Sequence, residues 1–232
     1  MAVPADSGET FLREVDENLR RDQLQDIAKK YGAWIIAGVV LLLAATGGWI
    51  YWQARQQKAA AQHSEILAQI YTDIGAGKLG TVPQRLDALA GETEGALRAS
   101  ALLTRAAIAV EQNDRALATT KFREIAAAEE LPQPYRDLAL IRSTAMEFDT
   151  IPPEQVIARL QPLTKPGNPW FGSAGELSAM ALVKQGKKLE AGRLFGAIAA
   201  DQQVPESIRA RSVQIAGTLG FDASASMPTI AQ

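Results

Sequence analysis

From Gln53 to Gly220 the apolar residues recur every three to four positions, and no alternating run of useful length interrupts them. The pattern predicts helices over 54–75, 82–90, 95–111, 115–128, 134–148, 152–163, 171–185, 188–200 and 205–218, an all-α domain. The breaks between them carry stop signals. Gly75, Gly77 and Gly80 end the first helix. Thr81-Val82-Pro83-Gln84 has the form of a capping box, with Pro83 in the first turn where a missing N–H costs nothing. Asn113-Asp114 predicts a tight turn, Thr150 a cap for the helix opened by Pro152 and Pro153, and Pro166-Gly167-Asn168-Pro169 the longest breaker.

The stretch from Ala33 to Trp52 departs from this amphipathic pattern. It is twenty residues without a charge, enough for a helix of roughly 30 Å, the thickness of a bilayer core. Trp34 stands at one end, and Trp49, Tyr51 and Trp52 at the other, the aromatic belts expected at the two membrane interfaces. A cleaved signal peptide has an apolar region of about 7–15 residues near the chain start. Here the run is longer and follows a charged stretch, so a retained anchor fits better. Arg20, Arg21, Lys29 and Lys30 precede it and Arg55 and Lys58 follow it, which points the N-terminus into the cytoplasm. The C-terminal domain then lies across the inner membrane, in the periplasm of a Gram-negative cell. Ala44 and Gly48, with Gly47 beside them, form a small-residue pair; such a pair lets a second helix approach closely, but Ala and Gly are common in spans and ordinary composition is the better account.

Residues 1–32 form a charged cytoplasmic helix from about Thr10. Asp16 with Arg20, Glu17 with Arg21, and Asp26 with Lys30 are spaced i,i+4 in the favourable order. A solvated helix and a docking helix for a partner both remain open. The expected organisation is therefore 1–32 cytoplasmic, 33–52 transmembrane, 53–220 folded domain, and 221–232 a small, polar, disordered tail.

The domain repeats itself. Ala118, Phe122, Ile125, Pro132 and Arg136 recur as Ala191, Phe195, Ile198, Pro205 and Arg209, an offset of 73. Ala101, Ala106, Val110 and Gln112 recur at the same offset as Ala174, Ala179, Val183 and Gln185. Two units of about 34–36 residues give this spacing, which suits tetratricopeptide-type helical hairpins. A small residue at 118 or 191 lets paired helices approach, and the aromatic four residues later fills the seam. The predicted architecture is a degenerate tetratricopeptide-like α-solenoid of about four hairpins, capped by 205–218, with a concave face.

Composition then removes function classes. Lys and Arg total 24 and Asp and Glu 26, a net charge of −2, which is not the basic excess of a nucleic-acid binder. Cys is 0 and His is 1, so thiol catalysis, disulfides and histidine-based metal sites or triads lose their side chains. Ala at 41 against 10 Phe and Tyr together favours helix over sheet. Gly75-Ala76-Gly77-Lys78-Leu79-Gly80 matches a dinucleotide fingerprint literally but follows a helix rather than a strand, so it reads as a turn. His63 reads as solvated. The carboxylates at Glu129-Glu130 and at Glu92 and Glu94 read as solvated helix ends. No catalytic residue, cofactor or metal site is expected.

Trp170 and Phe171 open the helix of the second matching hairpin; a lid on the core and a partner contact are both open readings. Ser173, Glu176, Met180 and Lys184 are expected to line the concave side with them.

The order of parts adds a family. A charged helix beginning Phe11-Leu12-Arg13-Glu14, then Tyr31-Gly32, then one span closing in Gly47-Gly48-Trp49, then an Ala-rich degenerate repeat domain, resembles the YfgM-like family of ancillary SecYEG translocon subunits. The resemblance implies a single-pass inner-membrane protein, N-terminus cytoplasmic, with a non-catalytic periplasmic interaction domain. It implies membrane lipid, Sec translocon subunits and a membrane-anchored periplasmic prolyl-isomerase-type chaperone as partners, in the folding or trafficking of secreted proteins. A scaffold for another envelope complex, in division or outer-membrane assembly, is the alternative.

Overall fold

The computed structural model describes residues 7–223, and within α1 it describes backbone alone for residues 7–29, 35, 56, 59 and 60. Nine α-helices follow one another without a strand among these residues: α1 (Ser7–Gly75), α2 (Val82–Glu92), α3 (Gly95–Glu111), α4 (Arg115–Ala127), α5 (Gln133–Glu147), α6 (Pro153–Leu160), α7 (Phe171–Lys184), α8 (Lys188–Ala200) and α9 (Glu206–Thr218). A 3-10 turn over Gln161–Leu163 extends α6. The chain divides into two compact units, 1–62 and 63–232. The proposed pairs Asp16–Arg20, Glu17–Arg21 and Asp26–Lys30 lie outside the described side chains.

In the first unit one stretch, Lys30–Arg55, is long and apolar enough to cross a membrane, with mean hydropathy 2.0 and none of its window buried in protein. Trp34 is 78% exposed and Leu41 72%. A continuous exposed apolar surface of this kind marks a protein–protein or membrane contact.

In the second unit consecutive helices pair, and the odd helices α3, α5, α7 and α9 also touch one another in sequence; among the described residues the even helices make no comparable contacts. The odd helices therefore form a continuous inner layer of the stack. The repeat seen in the sequence is the reason for this packing. Ala118 and Ala191 are completely buried, and Phe122, Phe195, Ile125 and Ile198 lie in the core beside them. Ala106 and Ala179, on the facing helices α3 and α7, are buried too, so each hairpin closes small residue against small residue with an aromatic in the seam.

The turns repeat as well. At the end of α3 the Asp114 N–H bonds the Ala109 carbonyl at 2.9 Å and the Asn113 N–H that of Val110 at 2.9 Å. At the end of α7 the Lys187 and Gly186 N–H groups bond Leu182 and Val183 at 3.0 and 2.9 Å. Both are Schellman closures, which need a left-handed residue. Asn113 (φ 60°) and Gly186 (φ 77°) supply it, 73 residues apart. Gly77, in the stretch that mimics a dinucleotide fingerprint, does the same for α1 with φ 72°.

Three local expectations are corrected. Thr81 precedes α2 but its hydroxyl caps nothing: its backbone is already near-helical (φ −106°, ψ −5°) rather than extended as a capping residue's is. Thr150 bonds back to the Glu147 carbonyl at 3.0 Å, and Pro152 takes the cap position of α6. Residues 221–223, expected in a loose tail, are packed: Ala223 is buried and Phe221 lies against the same cluster. The turn that brings them back is a further Schellman closure at Gly220, with the Phe221 N–H on the Ala216 carbonyl at 2.9 Å. The remaining tail, 224–232, lies outside the described residues.

Candidate functional site

The inner layer opens into a groove of about 770 Å³ between the end of α1, α3, the start of α4, and α5, a volume in the range of ligand and peptide sites. Its floor is apolar because the small residues of α3 (Ala106, Ala109) turn inward to meet α4, which leaves Leu103, Ala107 and Val110 on the other face. Val110 is 43% exposed and Tyr71, across the groove on α1, 48%. Tyr71 Oη and Thr104 Oγ1 share a hydrogen bond of 3.2 Å that ties the α1 wall to α3. Asp73, two residues on, accepts from Arg85 of α2 at 2.5 Å, so this wall is held from both sides.

The third wall is α5. It presents Leu138, Arg142, Ala145 and Met146. Its opposite side is locked by Glu147, 7% exposed, which accepts from Arg123 of α4 and from Arg159 of α6, the latter at 2.8 Å. One carboxylate thus fixes three helices, and its double pairing is what makes burial of the charge tolerable. Arg115, at the start of α4, donates to the Met146 carbonyl and closes the end of the groove.

The residues expected from sequence lie on α7 and its approach. Phe171 is 1% exposed and belongs to the core cluster of α7, α8 and α9, so it lines no surface; a buried aromatic at the helix start serves as a core lid. Trp170 is half-buried against the core cluster shared by α5, α6 and α7. Ser173, Glu176, Met180 and Lys184 share the more exposed face of α7, spaced at three and four residues. Two of them are engaged within the chain. Glu176 takes both nitrogens of Arg211 on α9, at 2.5 and 2.6 Å, and this pairing raises the Arg211 pKa above its ordinary value. Lys184 donates to Asp149 at 2.7 Å and to the Phe148 carbonyl at 3.1 Å. That hydrogen bond, and the charge behind it, lower the Asp149 pKa below 3.8. Met180 remains exposed.

His63 is not solvated: its side chain is 25% exposed and Nε2 sits 3.8 Å from Glu92 at the end of α2. Glu130 pairs with Arg98 at 3.8 Å. On the apolar stretch of α1, the Trp49 and Trp52 rings lie 5.7 Å apart, tilted by 45°, and Arg55 lies 6.0 Å from the Tyr51 ring. Trp34 and Trp52, eighteen residues apart, stand about 27 Å apart along the helix.

The groove residues Tyr71, Leu103 and Arg142 were not singled out by sequence, and Val110 only as a repeat position. The one available signal was Arg142 itself, a charge inside the otherwise uncharged run from Leu138 to Met146.

Comparison with known proteins gives one match: the tetratricopeptide repeat-like domain family, over residues 25–215. The matched stretch includes the apolar segment of α1 as well as the hairpins. No curated protein and no solved structure matches significantly.

Proposed function

Since the chain belongs to the tetratricopeptide repeat-like domain family, a class of typically non-catalytic protein-binding modules, we propose that it is a membrane-anchored interaction module whose groove holds a polypeptide partner. The observation that carries this reading is the apolar groove on the inner layer, in a chain that also has a helix fit to cross a membrane. A tether raises the local concentration of a weak binder at the membrane without any new contact.

Within that reading the protein is an inner-membrane subunit with its N-terminus in the cytoplasm and its repeat domain in the periplasm. Trp34, Trp49, Tyr51 and Trp52 seat the helix at the two interfaces. The partners are Sec translocon subunits and a membrane-anchored prolyl-isomerase-type chaperone, and the task is to assist secreted proteins as they emerge. The resemblance in order of parts supports this assignment, as does the charge asymmetry around the span. The α7 face bearing Ser173, Glu176, Met180 and Lys184 extends the partner surface beyond the groove.

A photo-crosslinking residue at Val110 tests it. Adducts to translocon or chaperone subunits, with solubilisation in mild detergent preserving the same set, are the expected result. Adducts to division or outer-membrane assembly proteins would assign the module to another envelope complex. A reporter fused after Gly220 that is active in the cytoplasm would overturn the topology.

A further inference from the structure

We propose that the groove selects an apolar polypeptide segment carrying one internal acidic side chain, whose carboxylate is received by Arg142. The inference rests on the groove being a partner site and adds what that site discriminates.

Arg142 is exposed on the α5 wall, and among the described residues it makes no hydrogen bond or ion pair. Its neighbours in the domain are engaged: Arg85 with Asp73, Arg123 and Arg159 with Glu147, Arg211 with Glu176. A second guanidinium, Arg115, spends one donor on the Met146 carbonyl, one helical turn along α5 from Arg142. Glu111 lines the same groove and pairs with neither arginine. The groove therefore offers two cations against one acid, on otherwise largely apolar walls.

Chemistry makes this selective. In the open groove water solvates Arg142. A segment laid over it removes that water, and one that brings no acceptor leaves a charge desolvated without compensation. A carboxylate meets the planar fork with two parallel charge-assisted hydrogen bonds and reverses the sign of the effect. An amide of the same shape does so only weakly.

The location of the acid follows from its surroundings. Leu138 lies one turn before Arg142 and Met146 one turn after it, and both line the groove. Apolar contact thus continues on both sides of the cation. That places the carboxylate inside the bound segment, with apolar residues before and after it, rather than at a chain end.

The test is fluorescence anisotropy with the full chain in lipid nanodiscs, empty nanodiscs subtracted. The probes are short leucine- and phenylalanine-rich peptides: one with a central aspartate, its asparagine twin, and an acid-free version with a free C-terminal carboxylate. The aspartate peptide is expected to bind roughly tenfold more tightly than its twin, a difference of about 1.4 kcal/mol. Arg142→Gln should erase that preference, so that the two peptides bind alike. Ala107→Trp, which fills the groove from an exposed position on α3, should abolish binding of both while far-UV circular dichroism stays as in the parent.

An Arg142→Gln protein that keeps the preference, in a groove that Ala107→Trp still blocks, overturns the acid selection and leaves the groove reading standing. Equal affinity for the peptide with the free C-terminus overturns the internal placement. Binding indifferent to Ala107→Trp, or no binding by any peptide, removes the groove reading itself.

Discussion

The return of the chain after α9 predicts a substitution whose sign depends on its background. Phe221 lies on α8 over Gly192 and Gly196. A Cβ built at Gly192 would stand 2.8 Å from the Phe221 Cβ, and one at Gly196 would overlap the ring at Cε1 and approach Cδ1 at 3.0 Å. In the parent, Gly196→Ala must push the ring off its seat. Phe221 is half-buried against the core cluster of α7, α8 and α9, so its release forfeits about 2 kcal/mol of apolar burial. Alanine returns up to about 1 kcal/mol of helix propensity. The net expectation is a loss of about 1 kcal/mol. In a Phe221→Ala background nothing remains to clash, and the same substitution should stabilise by up to about 1 kcal/mol. The coupling, about 2 kcal/mol, is within the range for contacting residues. Urea unfolding of the full chain in detergent, followed at 222 nm, gives all four corners of the cycle. Additivity, with Gly196→Ala stabilising in both backgrounds, would show that Phe221 does not occupy this seat.

Other outcomes follow from the same geometry. Glu147→Gln should cost about 1–3 kcal/mol, the worth of charge-assisted hydrogen bonds; Arg123 and Arg159, 55% and 32% exposed, return to water and keep the loss below that of a fully buried pair, as a urea midpoint will measure. Val39→Arg with Leu42→Arg should release the chain from the membrane fraction, since a central arginine costs about 2.5–3.5 kcal/mol on insertion; retention in carbonate-washed membranes would refute the span. The pairing of Asp149 with Lys184 holds that carboxylate below 3.8, so its contribution is present above this pH and fades as the pH falls through it toward the lower folded value. Lys184→Met should therefore lower the melting temperature more at neutral pH than in strong acid, where only its bond to the Phe148 carbonyl is left to lose.

The helix boundaries were legible because their causes are local. Apolar spacing gave 95–111 and 188–200 as observed, and most other bounds lie within a residue or two; the exceptions are 54–75, which is the end of a helix begun at Ser7, and 152–163, whose last three residues are a 3-10 turn. The 73-residue recurrence was legible for a related reason: Ala118 with Phe122 and Ala191 with Phe195 solve the same close-packing problem, and the identical left-handed turns at Asn113 and Gly186 follow from it. The capping expectations at Thr81 and Thr150 failed because residue type does not fix backbone conformation: Thr81 is near-helical, and the chain places Pro152 rather than Thr150 at the cap of α6.

What the sequence by itself determined is the list of helices, their pairing partners in the repeat, and the apolar stretch that exceeds any amphipathic pattern. Tertiary structure alone decided which apolar residues stay outside. Phe171 and Val110 look equally able to enter a core, yet one is sealed between three helices and the other floors a groove. It alone gave Glu147 its two arginines and left Arg142 none. Periodicity fixes which way a side chain points from its own helix; whether another helix meets it there depends on contacts between residues far apart in the chain, and no local pattern encodes their approach.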